Sequence, residues 1–319
     1  MMVAKRQLQS LAGVLVSIIT ISFFLYFLDV HRLWTVIANG DYRLFLLALV
    51  VNIFANLAAA ERLRQGLVLF QRRLPFSWIA ALHYAALWFN QVLPTGLGGD
   101  VIRYLILKGT IGRIRAVRAV LFDRVFGVVF LFIAGTLAFP ILVFDSPSKI
   151  ASLVWLLAAP GALLGVVTSV ALARRLRRRT KAWKLINLVL LAGRDLGRGL
   201  NPLRAPRLWV QSLLFCGGSI LAYYFVALAF DTTVQAYHFL WAVPVIFTLM
   251  QFPLSYGGWG PREAAALLVF SGLENEVETI VAIAGGFGIV LMLSAVPGLF
   301  ILWGRARQFL NASERPVVS

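Results

Sequence analysis

The sequence predicts an all-α polytopic membrane protein, with six spans and two re-entrant helix hairpins arranged as an inverted repeat. Three observations predict it. Hydrophobic residues make up 60% of the 319-residue chain and charged residues only 13%, against about 45–50% and about 25% in soluble domains. Apolar runs close to the length of a bilayer crossing recur along the chain, and two of them stop early at a proline followed by glycines. Basic residues gather in alternate loops.

The apolar stretches cover residues 11–28, 44–60, 78–93, 122–144, 151–173, 208–230, 238–255 and 281–303. The first follows Lys5 and Arg6 and runs on into Asp29-Val30-His31-Arg32 with no small-residue cleavage site, so it reads as an uncleaved span rather than a signal peptide. Stretch 78–93 carries His83, Asn90 and Gln91 and ends at Pro94, and stretch 238–255 ends near Pro253. Each provides about 16 residues before its proline. That is about 24 Å of helix at 1.5 Å per residue, short of a hydrocarbon core of about 30 Å. A glycine-rich break and a second short helical piece follow each (Val101–Lys108 and Ala264–Ser271), as a chain returning to its own side of the bilayer requires.

The net charge of +17 does not point to nucleic acid, because it sits in short loops between apolar runs. With both odd segments re-entrant and the N-terminus inside, segment 61–77 carries Arg62, Arg64, Arg72 and Arg73 on the inner side. Segment 101–118 adds Arg103, Lys108, Arg113, Arg115 and Arg118, and segment 174–207 adds eleven Lys and Arg against the single acid Asp195. The outer loop 271–280 holds only Glu274, Glu276 and Glu278. If the odd segments spanned, the eleven bases of 174–207 would lie outside. The positive-inside rule therefore predicts re-entrance, six spans, and both termini in the cytoplasm at the cell (inner) membrane. Within 174–207, the apolar middle from Trp183 to Ala192 predicts an interfacial helix on the cytoplasmic face. Trp34, Tyr42, Trp78, Trp209, Trp241 and Trp303, near span ends, predict aromatic belts.

The two breaks match. Pro94-Thr-Gly-Leu-Gly98-Gly99-Asp100-Val-Ile-Arg103 aligns with Pro253-Leu-Ser-Tyr-Gly257-Gly258-Trp-Gly-Pro-Arg262-Glu263 in its proline, two glycines and arginine, at an offset of 159 residues. Half-repeats of about 1–159 and 160–319 follow, within a single membrane domain, each with the order span, span, hairpin, span. Three spans per half make the second half inverted. Paired broken helices in inverted repeats mark the binding site of a transporter.

The glycines Gly98, Gly99, Gly257 and Gly258 are expected to let the chain turn and to allow close approach. The half-helices after each break are expected to aim the positive ends of their dipoles at an anion, with Arg103 and Arg262 as ligands whose forks suit phosphate or carboxylate. Asp100, Asp123, Arg124 and Glu263 are expected to organise charge around them, because ionisable residues at bilayer depth are paired or functional. Arg262 and Glu263, adjacent on a helix, are expected to pair across to the other repeat rather than with each other. Asn90, with His83 and Gln91, is a further candidate for headgroup contact or interhelical hydrogen bonding. Asp123 and Arg124 are placed near the interface, and Glu61, Arg62 and Arg64 at the end of the second span, as snorkelling residues. Three scattered histidines and the lone Cys216 predict neither a metal site nor an intrachain disulfide, and no cofactor is expected.

At these residues the sequence resembles the lysylphosphatidylglycerol synthase transmembrane-region family, the flippase-like membrane part of enzymes that aminoacylate phosphatidylglycerol. The resemblance rests on Leu93-Pro94 through Arg103, on Asp123-Arg124-Val-Phe-Gly127, and on Pro253 through Glu263, within about 10–305. Family members commonly carry Glu-Arg where this chain has Asp123-Arg124. The resemblance implies lipid translocation between leaflets. It does not carry aminoacyl transfer, since the chain runs only sixteen residues beyond Trp303 and a stand-alone member without the synthase domain is expected.

The function expected is therefore a lipid flippase or transporter for an anionic, phosphate-bearing lipid, with membrane lipids as partners and no nucleic acid. A membrane-embedded enzyme acting on a lipid or polyprenyl phosphate, through Asp100, Asp123 and Glu263, stays open as an alternative. So does a non-catalytic partner of a lipid or glycolipid biosynthesis complex. The absence of a Walker motif argues against ATP hydrolysis by this chain.

Overall fold

A computed structural model describes residues 30–70, 72–92, 98–138, 140, 183–250, 258–273 and 276–314. Its regular elements are helices: α1 (Val30–Ala38), α2 (Tyr42–Leu69), α3 (Phe76–Val92), α4 (Gly98–Ile111), α5 (Arg113–Leu137), α6 (Trp183–Gly199), α7 (Pro206–Ala229), a 3-10 turn (Ala236–His238), α8 (Phe239–Leu249), α9 (Pro261–Phe270) and α10 (Val277–Glu314). Four are long and apolar enough to cross a bilayer: Tyr42–Leu69, Arg113–Leu137, Pro206–Ala229 and Val277–Ile301. They fall on the second, fourth, sixth and eighth apolar stretches. Stretches 11–28 and 151–173 lie outside the described residues. The third and seventh stretches give shorter helices, 17 residues in α3 and 14 from Ala236 through Leu249.

Local chemistry sets the boundaries. Asp41 accepts a hydrogen bond from the Arg43 amide at 2.8 Å and opens α2. Gly112, with φ of 89°, separates α4 from α5. Pro206 sits in the first turn of α7, where no amide donor is needed.

The interior has two large apolar clusters. One joins α7, α8, α9 and α10 around Tyr223, Phe239, Phe270 and Phe287, with ring centroids of Tyr223 and Phe287 4.7 Å apart. The other joins α3, α4 and α5 with the C-terminal half of α2, and Leu196 of α6 packs into it. The helix α6 is fastened by Asp195, which is 1% exposed and accepts from Nε and Nη2 of Arg118 on α5. Trp34, Tyr42 and Trp303 are exposed. Trp241, expected in an aromatic belt, is instead fully buried, with its Nε1–H directed at Nδ1 of His238 at 3.4 Å. The neighbouring helices enclose the start of α8, so the ring packs into protein.

Glycine allows close helix contact at α10. A Cβ on Gly298 would fall on the carbonyl oxygen of Tyr84 in α3. Gly298→Val is expected to lower stability by about 1–3 kcal/mol, since backbone cannot yield as a side chain can. Gly285→Ala, on the same helix with nothing within 4 Å of the new methyl, is expected to be neutral or stabilising by up to about 1 kcal/mol. Thermal unfolding of both variants in detergent checks the contrast.

Candidate functional site

The structure gathers the charges of the first half around one carboxylate. Asp123, on α5 and 4% exposed, accepts from Nε of Arg62 on α2 at 2.9 Å and from Nη1 of Arg103 on α4 at 3.2 Å. Arg103 Nη1 also lies 3.6 Å from Asp100, one turn earlier on α4, and Asp100 is ion-paired with Arg124 of α5. Arg62 extends over the Phe215 ring of α7 at 5.3 Å, and Gly127 leaves it room, since a Cβ there would meet Nη2 at 3.3 Å.

A hydrogen-bonded chain leads away from this cluster. Arg103 Nη2 donates to Nδ1 of His83 on α3 at 2.8 Å. A guanidinium only donates, so Nδ1 is the acceptor and the ring carries its proton on Nε2. That Nε2–H faces Oδ1 of Asn56 on α2 at 3.4 Å, and the Asn56 amide donates to Asn52 at 2.9 Å. One donor is left over: Arg103 Nε is buried with no partner among the described residues.

These groups line a cavity of about 250 Å³. Its walls come from α2, α3, α4, α5 and α7, with Met250, Gly258 and Pro261 closing one side. Asn90 and Asp100 flank the first break, and Met250 and Gly258 flank the second. The residues beside both breaks thus face one space. Three guanidiniums (Arg62, Arg103, Arg124) stand against two carboxylates (Asp100, Asp123), leaving one unbalanced positive charge on the lining. The space is large enough for several waters or one small polar headgroup.

The second break builds a sealed pair. Arg262, 1% exposed, donates from Nη2 to Glu263 Oε1 at 2.6 Å, and the amide of Gly260 donates to Glu263 Oε2 at 2.6 Å. The guanidinium lies over the Trp259 ring at 4.5 Å, and a Cβ on Gly288 of α10 would fall on it. Arg262 and Glu263 therefore pair with each other, correcting the expected pairing across to the other repeat. Glu263 turns back to cap α9, which brings its carboxylate beside its neighbour's guanidinium. Neither residue lines the cavity.

The profile of the lysylphosphatidylglycerol synthase TM region matches residues 10–298. The chain belongs to this family. No curated protein compared with it matches. Membership in the family and the four apolar helices make the protein a multi-pass membrane protein whose context is membrane lipid.

Of the residues singled out in this family member, the structure brings Asn90, Asp100, Arg103, Asp123, Arg124 and Gly258 to the cavity. Gly257 lies outside the described residues. Gly98 and Gly99 are buried in the first turn of α4 behind the lining. Gly99 serves close approach rather than a positive φ: a Cβ there would strike the Ala86 carbonyl of α3. Asn90 Oδ1 accepts from the Gly99 amide at 2.7 Å and so caps α4. Asp123, at the start of an apolar stretch in the sequence, lies ten residues into α5 and is buried within the protein. Arg62 is the residue that sequence reasoning placed wrongly. The helix α2 does not end there but continues to Leu69, so Arg62 is 7% exposed inside the protein while Glu61 and Arg64 pair with each other on another face. Asn52, Asn56 and Arg62, at four- and six-residue steps on one apolar helix, were the available signal.

Proposed function

We propose that the protein is a lipid transporter that admits an anionic, phosphate-bearing headgroup to this cavity while the acyl chains stay in the bilayer. The observation that carries the reading is the pairing of one unbalanced positive charge on the lining with the partnerless Arg103 Nε. An unsatisfied buried guanidinium donor is costly, and a phosphate oxygen would satisfy it. Arg103 and Arg124 are the ligands. Asp123, itself held by Arg62, anchors Nη1 of Arg103, Asp100 holds Arg124, and Asn90 with Gly98 and Gly99 shapes the start of α4. Arg262 and Glu263 set the second break against α10.

The topology in this reading has six spans, formed by the four long helices with stretches 11–28 and 151–173. The pairs α3–α4 and α8–α9 are re-entrant, and the halves are inverted. The short α3 and α8, and the positive charge of 174–207, support it. Both termini then face the cytoplasm, and α6 lies along that face of the cell membrane.

Purified protein in liposomes tests the proposal, with fluorescent phosphatidylglycerol or phosphatidylcholine as probe and chemical quenching of the outer leaflet as readout. Wild type is expected to move the anionic probe faster, and Arg103→Gln to slow it by about 10- to 100-fold, the loss of one charge-assisted hydrogen bond of about 1.5–3 kcal/mol. Movement of the anionic probe by well-folded Arg103→Gln at the wild-type rate would reject the reading.

A further inference from the structure

Beyond the headgroup itself, the structure assigns a second ligand to this site: we infer that His83 binds a proton that is taken up together with the anion, making the cavity a joint anion and proton site. The inference rests on the anion reading above and adds its coupling ion.

The argument is one of acceptors. His83 Nδ1 is occupied by Arg103 Nη2 at 2.8 Å, and its Nε2–H faces Asn56. Both nitrogens are used, and the ring is neutral. A second proton can enter only at Nδ1, and only if Arg103 turns away. The partnerless Nε of Arg103 gives it somewhere to turn, since an anion in the cavity can receive that donor and the released Nη2 together. The same movement that binds the anion frees Nδ1.

Charge balance favours the same pairing. From α4, His83 faces Arg103 and Asp100. From α2 it faces Arg62 and Asn56, and from α5 Asp123 and Arg124. On its own helix the neighbours are Tyr84 and Asn90. The helix α10 packs on α3, with Gly298 against the Tyr84 backbone. With no ligand the lining already holds one excess positive charge, and a protonated His83 would make a second. A bound monoanion removes the excess, and the added proton then restores only the original balance. The protonated ring favours the anion, and the anion favours the protonated ring, by the same factor. Among the described residues of the cavity, His83 is the only imidazole, the one side chain type whose ordinary titration lies near neutrality.

The sign follows. Anion affinity rises as pH falls through the range in which His83 titrates, approaching tenfold per pH unit, and each anion bound takes up to one proton. The test is calorimetric titration of the detergent-solubilised full chain with dihexanoyl-phosphatidylglycerol, whose phosphodiester stays singly charged near neutrality. Runs in two buffers of different ionisation enthalpy, from about pH 8 down to below the range of an ordinary imidazole, as far as the protein stays folded, count the protons. Wild type is expected to take up a proton on binding. His83→Asn, which keeps an acceptor near the Nδ1 position, and His83→Gln, which keeps an amide N–H donor near the Nε2 position, are expected to bind with no proton uptake and a flat pH profile. Because the count is made on wild type, it does not depend on either variant folding. Anion binding by wild type with no proton uptake and a pH-independent affinity would overturn the proton site and leave the anion reading standing. No anion binding at any pH would overturn both.

Discussion

Asp123→Ala is expected to lower stability by about 3–5 kcal/mol, the cost of leaving buried charges without their partner. Its carboxylate pairs with both Arg62, at 2.9 Å, and Arg103, at 3.2 Å. Removing it puts two guanidiniums side by side with one fewer negative charge among the five charged groups of the lining. Asp123→Glu retains the charge, and is expected to keep most of the stability. Thermal midpoints in detergent, measured for both, decide the point. Equal midpoints for Asp123→Ala and wild type would mean that water or lipid, and not Asp123, neutralises the two arginines.

The second large effect concerns Arg262 and Glu263, where the outcome separates a structural pair from a ligand. Glu263→Ala strips the anion from an arginine that is 1% exposed and removes the acceptor of the Gly260 amide. It is expected to cost about 3–5 kcal/mol. The double replacement Arg262→Met with Glu263→Gln keeps the volume, removes both charges together, and leaves a side-chain acceptor for Gly260. It is expected to recover most of that loss, because a buried ion pair replaced as a unit by residues of similar size is often close to neutral. In liposomes the double variant is expected to move lipid within a few-fold of the wild-type rate, whereas Arg103→Gln is not. A double variant as unstable as Glu263→Ala would show that the Trp259 and Gly288 contacts need the guanidinium itself. A stable double variant that moves no lipid would return Arg262 to the role of ligand.

Much of the site was legible before the fold was known, for a reason specific to membranes. In a chain with so few charges, ionisable residues beside a proline-glycine break or at the start of an apolar stretch stand out, and Asp100, Arg103, Asp123 and Arg124 were found that way. What spacing could not supply was which face each residue takes. Arg62 and Arg64 lie two residues apart, about 200° around the helix. One is buried against Asp123 and the other pairs with Glu61 in partial contact with the surroundings. The same limit applies to the matched arginines. Arg103 is the sixth residue of α4 and Arg262 the second of α9, so identical offsets from the two prolines do not give equivalent positions. The first reaches into the cavity. The second is folded onto its own helix cap.

The sequence by itself determined the helical membrane class, the family, the short third and seventh stretches, and the clustering of rare charges near two proline-glycine breaks. Each follows from local quantities: hydropathy summed over a window, the missing amide of proline, the cost of charge in hydrocarbon. Tertiary structure alone decided that Arg62 completes the cluster, that His83 links Arg103 to Asn56, and that Arg262 and Glu263 close on each other. Those partnerships join residues up to 61 positions apart or depend on helix rotation, and a buried polar group takes its partner from whatever the packing of helices brings within about 3 Å.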